Sequence, residues 1–406
     1  MRIACLGNMN NNMFCLVRYL RQRGYDAHLL LLSEEQQNFL PKTDTYDENY
    51  GEYTHQLQWG SESDFDKTCP RKLLADLSGY DAFIACNYAP AFLHKAGIVV
   101  DIFCPHGSDY YEVPFYTTLN GHPTPLAIAQ RQAIVNARYI MAVHSNPIRE
   151  QYWTTLAPRG VRVPHPIPLI FTPEYTEEKM DRHQIDDATR EAMLNIKSRH
   201  DMVVMQHSRQ CWGNPTLAND YKGNDILVRG FGAFTQEWGG KAALVLLNYG
   251  PDVQRTKALV TELGLAQHVH WLPQTTRKRL MPLVRLADIS ALEFHFSWIA
   301  GGALYEALAL ARPVLAKRDD HEYPGTRLFP MLQASTQQEV MARLLDFAQA
   351  PEHFASLGEE GRLWLHIEVI DPALNAVTAI LDGDGPGAAL RNGWSFFPTN
   401  NTQYVN

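Results

Sequence analysis

Apolar residues recur along this chain with two alternating rhythms. Arg2–Leu6 reads as a short strand around the apolar run Ile3-Ala4-Cys5-Leu6, Gly7-Asn8-Met9-Asn10-Asn11-Asn12 as a polar turn, and Met13–Arg23 as a helix with Phe14, Val17, Leu20 and Arg21 at helical spacing. Gly24 stops that helix, and Ala27–Leu32 is apolar throughout. Strand, turn, helix, glycine, buried strand is the βαβ unit of a parallel sheet, whose strands are covered on both faces and so read as unbroken hydrophobic runs. The same rhythm predicts buried strands at Asp81–Cys86, Val99–Cys104 and Tyr139–Val143 and a helix at Leu126–Asn136. It restarts further on, with strands predicted at 202–206, 243–247, 268–271, 288–292 and 313–316 and helices between them.

The alternation breaks in places. Pro41–Pro70 is rich in acidic and aromatic residues (Tyr46, Asp47, Glu48, Tyr50, Glu52, Tyr53, Trp59, Asp64) without a clear period. A loop this long inside a compact domain is usually functional or mobile, which leaves a substrate-facing role and a surface excursion both open. Thr172–Asp201 is dense in charge, reads as helical through Ile185–Ile196 and holds no buried strand, so a domain boundary is expected near 170–200. Residues 382–406 are rich in Gly, Asn, Pro and Thr and read as a loose tail. The expected fold class is α/β, with two Rossmann-like doubly wound domains at 1–170 and 171–364 and a helix near 365–381 packing back on the first. Tandem sheets of this kind face a cleft at the carboxyl ends of their strands, where ligands bind.

Composition narrows the partners. With 406 residues, 45% hydrophobic and 20% charged, the chain is long enough for two cores. A formal net charge of −8 argues against a broad phosphate-neutralising surface, so nucleic acid is not an expected partner, but it leaves room for a small basic pocket. Six scattered cysteines without C-x-x-C spacing read as reduced core thiols of a cytoplasmic protein. No unbroken apolar run approaches the roughly 20 residues that span a bilayer, and Met1–Leu6 reads as a strand rather than a leader. Membrane contact is expected to be peripheral at most.

The chemistry gathers in the second half. Val203-Val204-Met205-Gln206-His207-Ser208-Arg209 is a strand ending in a cation, and Tyr221-Lys222-Gly223-Asn224-Asp225 opens a helix. An arginine leaving a strand and a lysine at a helix start can together hold a diphosphate, helped by the helix amides and dipole. Read singly, each is an ordinary solvated cation. Phe296-Ser297-Trp298-Ile299-Ala300-Gly301-Gly302-Ala303-Leu304-Tyr305-Glu306 leads into an Ala/Leu helix. Gly301 and Gly302 allow close approach of a phosphate to the backbone, and Glu306 can accept hydrogen bonds from a ribose diol. The plainer reading is a glycine-assisted helix packing on the sheet, with Glu306 an exposed first-turn carboxylate.

Taken in order, these segments resemble the retaining glycosyltransferases of the GT-B fold, in particular the large group with Arg…Lys-Gly and Glu-x7-Glu motifs. The corresponding residues are Ser208-Arg209, Lys222-Gly223-Asn224-Asp225, Leu263-Gly264-Leu265 with Val269-His270-Trp271-Leu272, and Glu306 with Arg312-Pro313-Val314. Asp288 ends a Leu-Ala-Asp in the same style. The resemblance covers roughly 200–365 well and the first domain loosely. There, Cys104-Pro105-His106-Gly107-Ser108-Asp109 is similar to a strand-end segment that the family often carries, and Gly7–Asn12 takes the place of its first-strand loop. Ala142-Val143-His144-Ser145-Asn146 is similar to the strand end before the family's interdomain region.

The resemblance implies catalytic roles for His106, Arg209 and Lys222, with His106 beside the transferred sugar. It implies donor contacts from Gly7, Asn8, Ser208, Arg209, Lys222, Gly301, Gly302, Ala303 and Glu306; Trp298 joins them by its own chemistry, since its ring can pack on the apolar face of a sugar. The first domain would take the acceptor. One departure is plain: the acid eight positions before Glu306 is replaced by Trp298, and Glu293, His295 or the backbone around Gly301 are candidates to make its sugar contacts. The segment between Arg209 and Lys222 is long, and the usual Asn-Gly after the first domain reads Pro164-His165-Pro166.

The expected activity is transfer of a sugar, with retention, from a nucleotide sugar to a glycan, lipid-linked or other polar acceptor. No cofactor and no metal are expected. A sugar-nucleotide epimerase or hydrolase, or a non-catalytic nucleotide-binding homologue, is the alternative. H-E-x-x-H, G-x-S-x-G, the G-x-x-x-x-G-K-[ST] phosphate loop and a G-x-G-x-x-G first-strand loop are all missing, which removes zinc-peptidase, serine-esterase, P-loop and nicotinamide chemistry.

Overall fold

The computed structural model describes residues 1–142, 156, 161–162, 168–183, 188–214, 221–297, 299–323 and 326–385. It divides into two compact units: Met1–Phe171 with the chain from Ile367 onward, and Thr172–His366.

The first unit is built on a seven-stranded parallel sheet of β1 (Arg2–Leu6), β2 (Asp26–Leu31), β3 (Thr54–Gln56), β4 (Ala82–Ala85), β5 (Ile102–Phe103), β6 (Tyr139–Ala142) and β7 (Val161–Arg162), ordered β3-β2-β1-β4-β5-β6-β7. β1 lies between β2 and β4, with Cys5 opposite both Leu29 and Ile84, and Ile3 through Leu6 are fully buried. That explains the unbroken apolar run. The chain winds to one side of β1 through β2 and β3 and to the other through β4 to β7, so the switch point lies between β1 and β4. Thr124 caps the helix Pro125–Asn136 by accepting the Ala127 amide. The helix Asp371–Leu381 is tied to the start of the sheet: Arg23 donates to Asn375 Oδ1 at 2.9 Å and Tyr25 to Asp382 Oδ2 at 2.8 Å.

The 41–70 stretch is packed rather than free. Trp59 is fully buried, stacked on Phe92, and donates to Asp76 at 2.8 Å. Asp44 pairs with Arg18 at 2.8 Å, both buried. The stretch also supplies the edge strand β3, invisible to hydrophobic pattern because Thr54-His55-Gln56 is polar and half-exposed.

The second unit has a six-stranded parallel sheet of β8 (Met202–Gln206), β9 (Ala242–Leu247), β10 (Val269–Leu272), β11 (Ile289–Ala291), β12 (Val314–Ala316) and β13 (Leu332–Gln333), ordered β10-β9-β8-β11-β12-β13. Its switch point lies between β8 and β11, and Leu227, Phe231, Phe234, Leu244 and Leu246 are among the residues that build its core. The helix expected through Ile185–Ile196 runs instead over Ala188–Arg199, behind a separate turn of helix at Glu177–Arg182.

Among the described residues one helical run, Pro351–Leu381, is long and apolar enough by length and composition to cross a membrane; 44% of its apolar window is buried within the chain. Five of the six cysteines are buried; Cys69 is exposed, so the expectation of core thiols fails there.

Candidate functional site

At the switch point of the second unit, two buried amides set the backbone. Gln206, the last residue of β8, donates to the Leu292 carbonyl at 2.7 Å and accepts from Asn224 Nδ2 at 2.9 Å. Asn224 also accepts the Cys211 amide at 2.9 Å and donates to the Arg209 carbonyl at 3.2 Å. The segment after β8, the segment after β11 and the start of the helix Asn224–Glu237 are thereby fixed to one another. Gly223 makes the turn with φ +64°, a left-handed conformation, and a Cβ there would lie 3.2 Å from Phe294 Cβ.

That turn places Lys222, whose Nζ pairs with Glu293 Oε1 at 2.6 Å in a largely buried position. The other Glu293 oxygen, Oε2, is buried with no hydrogen-bond partner among the described residues. Arg209 is exposed at the strand end. Its charge acts on the Tyr249 hydroxyl, which donates to the His207 carbonyl at 3.2 Å. Burial, reinforced by Glu306 and opposed by Arg209, pushes that phenol up to about 12. Ser208 is buried, and its Oγ has no partner among the described residues.

The helix Gly302–Ala309 starts from Gly301, at φ +152°. Glu306, in its second turn, is not the exposed carboxylate of the plainer reading: it is buried, with 7% of the residue accessible. Arg277 Nε donates to its Oε1 at 2.7 Å, and His207 Nε2 lies 3.3 Å from its Oε2 and 3.2 Å from the Ala303 carbonyl. Both neighbours of Nε2 are acceptors, so Nε2 carries the proton. Burial pushes the Glu306 carboxyl upward, but the Arg277 charge and the His207 hydrogen bond outweigh it and hold the group below its ordinary range. Ala303, Gly301, Gly302, Glu293, Phe296 and Lys317 line a small cavity beside this helix start. The cluster carries Arg209, Lys222, Arg277 and Lys317 against Glu293 and Glu306, an excess of two positive charges beside a helix N-terminus.

In the first unit, Gly7 has φ +85°, and a Cβ there would lie 2.8 Å from Cys86 Sγ. Asn8 is spent on its own loop: Oδ1 accepts the Phe14 amide at 2.9 Å, and Nδ2 donates to Asn11 Oδ1 at 3.0 Å and to the Phe39 carbonyl at 2.5 Å. His106 follows β5. Its Nε2 accepts from the Asn12 side-chain amide, which leaves the ring proton on Nδ1. Burial lowers the His106 pKa against an opposing pull from Asp109, so the ring is neutral near pH 7. Asp109 orders the loop, accepting the His106 and Gly107 amides at 2.9 Å and the Asn87 amide at 3.0 Å.

Trp298, His144-Ser145-Asn146 and Pro164-His165-Pro166 lie outside the described residues. His295 packs edge-on against Tyr221, with ring centroids 4.5 Å apart. Sequence reasoning missed Arg277, His207 and the Gln206–Asn224 brace. The brace had a signal, since both amides stand inside the segments already singled out; Arg277, 29 positions before Glu306, had none. The expectation of a metal-free site rests in part on the lack of an Asp-x-Asp, the triplet that metal-dependent sugar transferases of another fold use for the diphosphate. This is corrected by Asp64-Phe65-Asp66 and Asp382-Gly383-Asp384, of which Asp64 accepts Ser33 Oγ at 2.5 Å and Asp382 accepts the Tyr25 hydroxyl. Among the described residues no group of three His, Cys, Asp or Glu side chains is placed to hold a metal ion.

No known protein-family profile matches the chain. Its structure is similar to that of Anabaena HepE in complex with UDP, with TM-score 0.59 and 14% identity over 94% of this chain and 100% of that one. It is also similar to sucrose-phosphate synthase from Thermosynechococcus elongatus, with TM-score 0.54 and 14% identity over 95% and 99% of the two chains. UDP-GlcNAc 2-epimerase from Neisseria meningitidis bound to UDP-GlcNAc has TM-score 0.53 and 13% identity over 94% and 100%. In sequence, 101 residues are 36% identical to the D-inositol 3-phosphate glycosyltransferase of Nocardia farcinica; the match spans 23% of this chain and only 22% of that protein's length. The two parallel α/β sheets and these likenesses establish the fold as GT-B.

Proposed function

We propose that this protein is a glycosyltransferase that moves a sugar, with retention and without a metal ion, from a nucleotide sugar to a glycan, lipid-linked or other polar acceptor. The observation that carries the reading is the cluster at the β8/β11 switch point, where Arg209, Lys222, the Gly301–Gly302 helix start and the buried Glu306 surround one strand end. Arg209, Lys222 and the helix amides neutralise charge developing on the leaving diphosphate, where preorganised groups have most effect. Glu306 keeps acceptor capacity on both oxygens for the ribose hydroxyls, with Arg277 and His207 holding it ionised and oriented. Glu293 Oε2 is the buried acceptor that a sugar hydroxyl would satisfy, in place of the acid missing at Trp298. His106 is assigned to the transferred sugar from the family resemblance.

Epimerases share the fold, as the Neisseria meningitidis enzyme illustrates. A thermal-shift screen against nucleoside diphosphates and nucleotide sugars, followed by product analysis of each binder, separates the readings. Stabilisation of about 2.7 kcal/mol is expected at a hundredfold excess over Kd. Glycosylated acceptor supports transfer, an epimerised donor supports the alternative, and binding without turnover supports a non-catalytic homologue. No stabilisation by any nucleotide refutes the proposal.

A further inference from the structure

A second cavity, of about 200 Å3, lies wholly within the first unit. It sits beyond the carboxyl ends of β1, β2 and β4 and against the loop after β5, at the β1/β4 switch point, where open parallel sheets place ligands. Glu34, Glu35, Phe39, Ser61, Asn87 and Tyr88 are among its lining residues, with Asp109 beside them. Among the described residues no lysine, arginine or histidine lines it, while three carboxylates do. Glu62 and Glu112 add to the negative surroundings, since their charges act on the Tyr88 and Tyr116 phenols.

The carboxylates differ in what they still offer. Asp109 is occupied by the three backbone amides described above, so it contributes charge but little hydrogen-bonding capacity. Glu35 Oε1 is buried with no partner among the described residues. Burial, opposed by the Leu32 and Asn8 backbone, raises the Glu35 pKa to about 7, as expected of a carboxyl with no cation to balance it. Tyr88 and Phe39 supply ring faces for the apolar face of a sugar. A phosphate or carboxylate entering here meets like charge in a partly desolvated site, which penalises it strongly.

We infer that this cavity takes a polyhydroxylated ligand with no anionic group, a neutral or ammonium-bearing sugar, and discriminates against its phosphorylated counterparts. That the ligand is the acceptor rests on the transfer reading above; its charge class rests on the cavity alone. Saturation-transfer NMR on the full chain with methyl α-glucoside, glucosamine and glucose 6-phosphate is the test. The first two should bind at least tenfold more tightly than the phosphate. Glu35→Gln should narrow that gap severalfold. Gln36→Trp, at an exposed lining position, should abolish transfer by filling the mouth, and Tyr88→Ala should weaken it by removing a ring face. Glucose 6-phosphate binding as well as the neutral sugar, no transfer from either uncharged or ammonium probe, or signals indifferent to both cavity variants would overturn the inference. UDP, GDP and ADP titrated in parallel read the donor proposal separately. Nucleotide binding without sugar binding sinks only the cavity assignment, and sugar binding without nucleotide binding sinks only the donor reading.

Discussion

Replacing Arg277 with methionine tests the electrostatics of the second unit most sharply. Arg277 and Glu306 meet at 2.7 Å with side chains 12% and 9% accessible, so neither charge is well solvated. Removing one partner of a buried pair costs about 3–5 kcal/mol, because the other is left desolvated. His207 still reaches Glu306 Oε2, which places the expected loss near the lower end, about 3 kcal/mol at pH 8. The pH dependence carries the sign. In the wild type Glu306 titrates below its unfolded value, so the stabilisation is complete above that value, near pH 4, and fades as pH falls through the lower folded one. In Arg277→Met burial prevails and the Glu306 pKa rises. The variant then takes up a proton between pH 8 and pH 5, and each unit of upward shift returns about 1.4 kcal/mol. Urea unfolding of the full chain at both values should therefore show a loss at pH 5 smaller by about 1 kcal/mol or more. Adding Glu306→Gln should recover at least half of the loss at pH 8. A loss under about 1 kcal/mol at pH 8, or one equal at both pH values and unrelieved by the second substitution, refutes the reasoning.

Arg209→Ala should lower kcat roughly 10²–10³-fold with the fold intact, and unchanged turnover would remove Arg209 from the leaving-group role. His106→Ala should impair turnover while leaving nucleoside diphosphate affinity within about twofold by calorimetry, since the expected contact is to the sugar; loss of nucleotide binding would reassign it. Glu35 titrates near 7 in the folded chain, above its unfolded value, so its ionisation destabilises the native state increasingly from about pH 4 to 7 and fully above that. Glu35→Gln should raise Tm at pH 8 by roughly 2–4 °C and much less at pH 5; equal shifts at both would show that its charge is not the cause.

Much of the fold was legible because buried parallel strands announce themselves. β1, β8 and β9 are apolar at all but at most one position, as is β2 from Leu29 onward, since helices and neighbouring strands cover both of their faces. The strands that escaped notice, β3, β7 and β13, are edges of two or three residues, too short for any period. The predicted strand at Val99–Cys104 is longer than the two residues of β5, although strand-like hydrogen bonds continue past both ends: the Asp101 and Cys104 amides donate to the Phe83 and Ala85 carbonyls of β4 at 2.9 Å, and Val100 and Cys104 are buried.

At the site, strand ends and helix starts drew attention to Arg209, Lys222 and Glu306. Their partners stayed hidden, because a salt bridge between residues 277 and 306, or 222 and 293, depends on how segments converge in space. Asn8 shows the reverse: a polar residue in a promising loop whose amide serves that loop.

The central claim is that the β8/β11 strand end binds the diphosphate of a nucleotide sugar. Isothermal titration of UDP, GDP and ADP into the wild type and into Arg209→Ala/Lys222→Ala reads that binding site without intermediate assumptions. One site per chain is expected for at least one of these nucleotides. Loss of two charge-assisted contacts, each contributing about 1.5–3 kcal/mol, should weaken it by at least about a hundredfold in the double variant. No binding by the wild type, or equal affinity for the folded double variant, would contradict it.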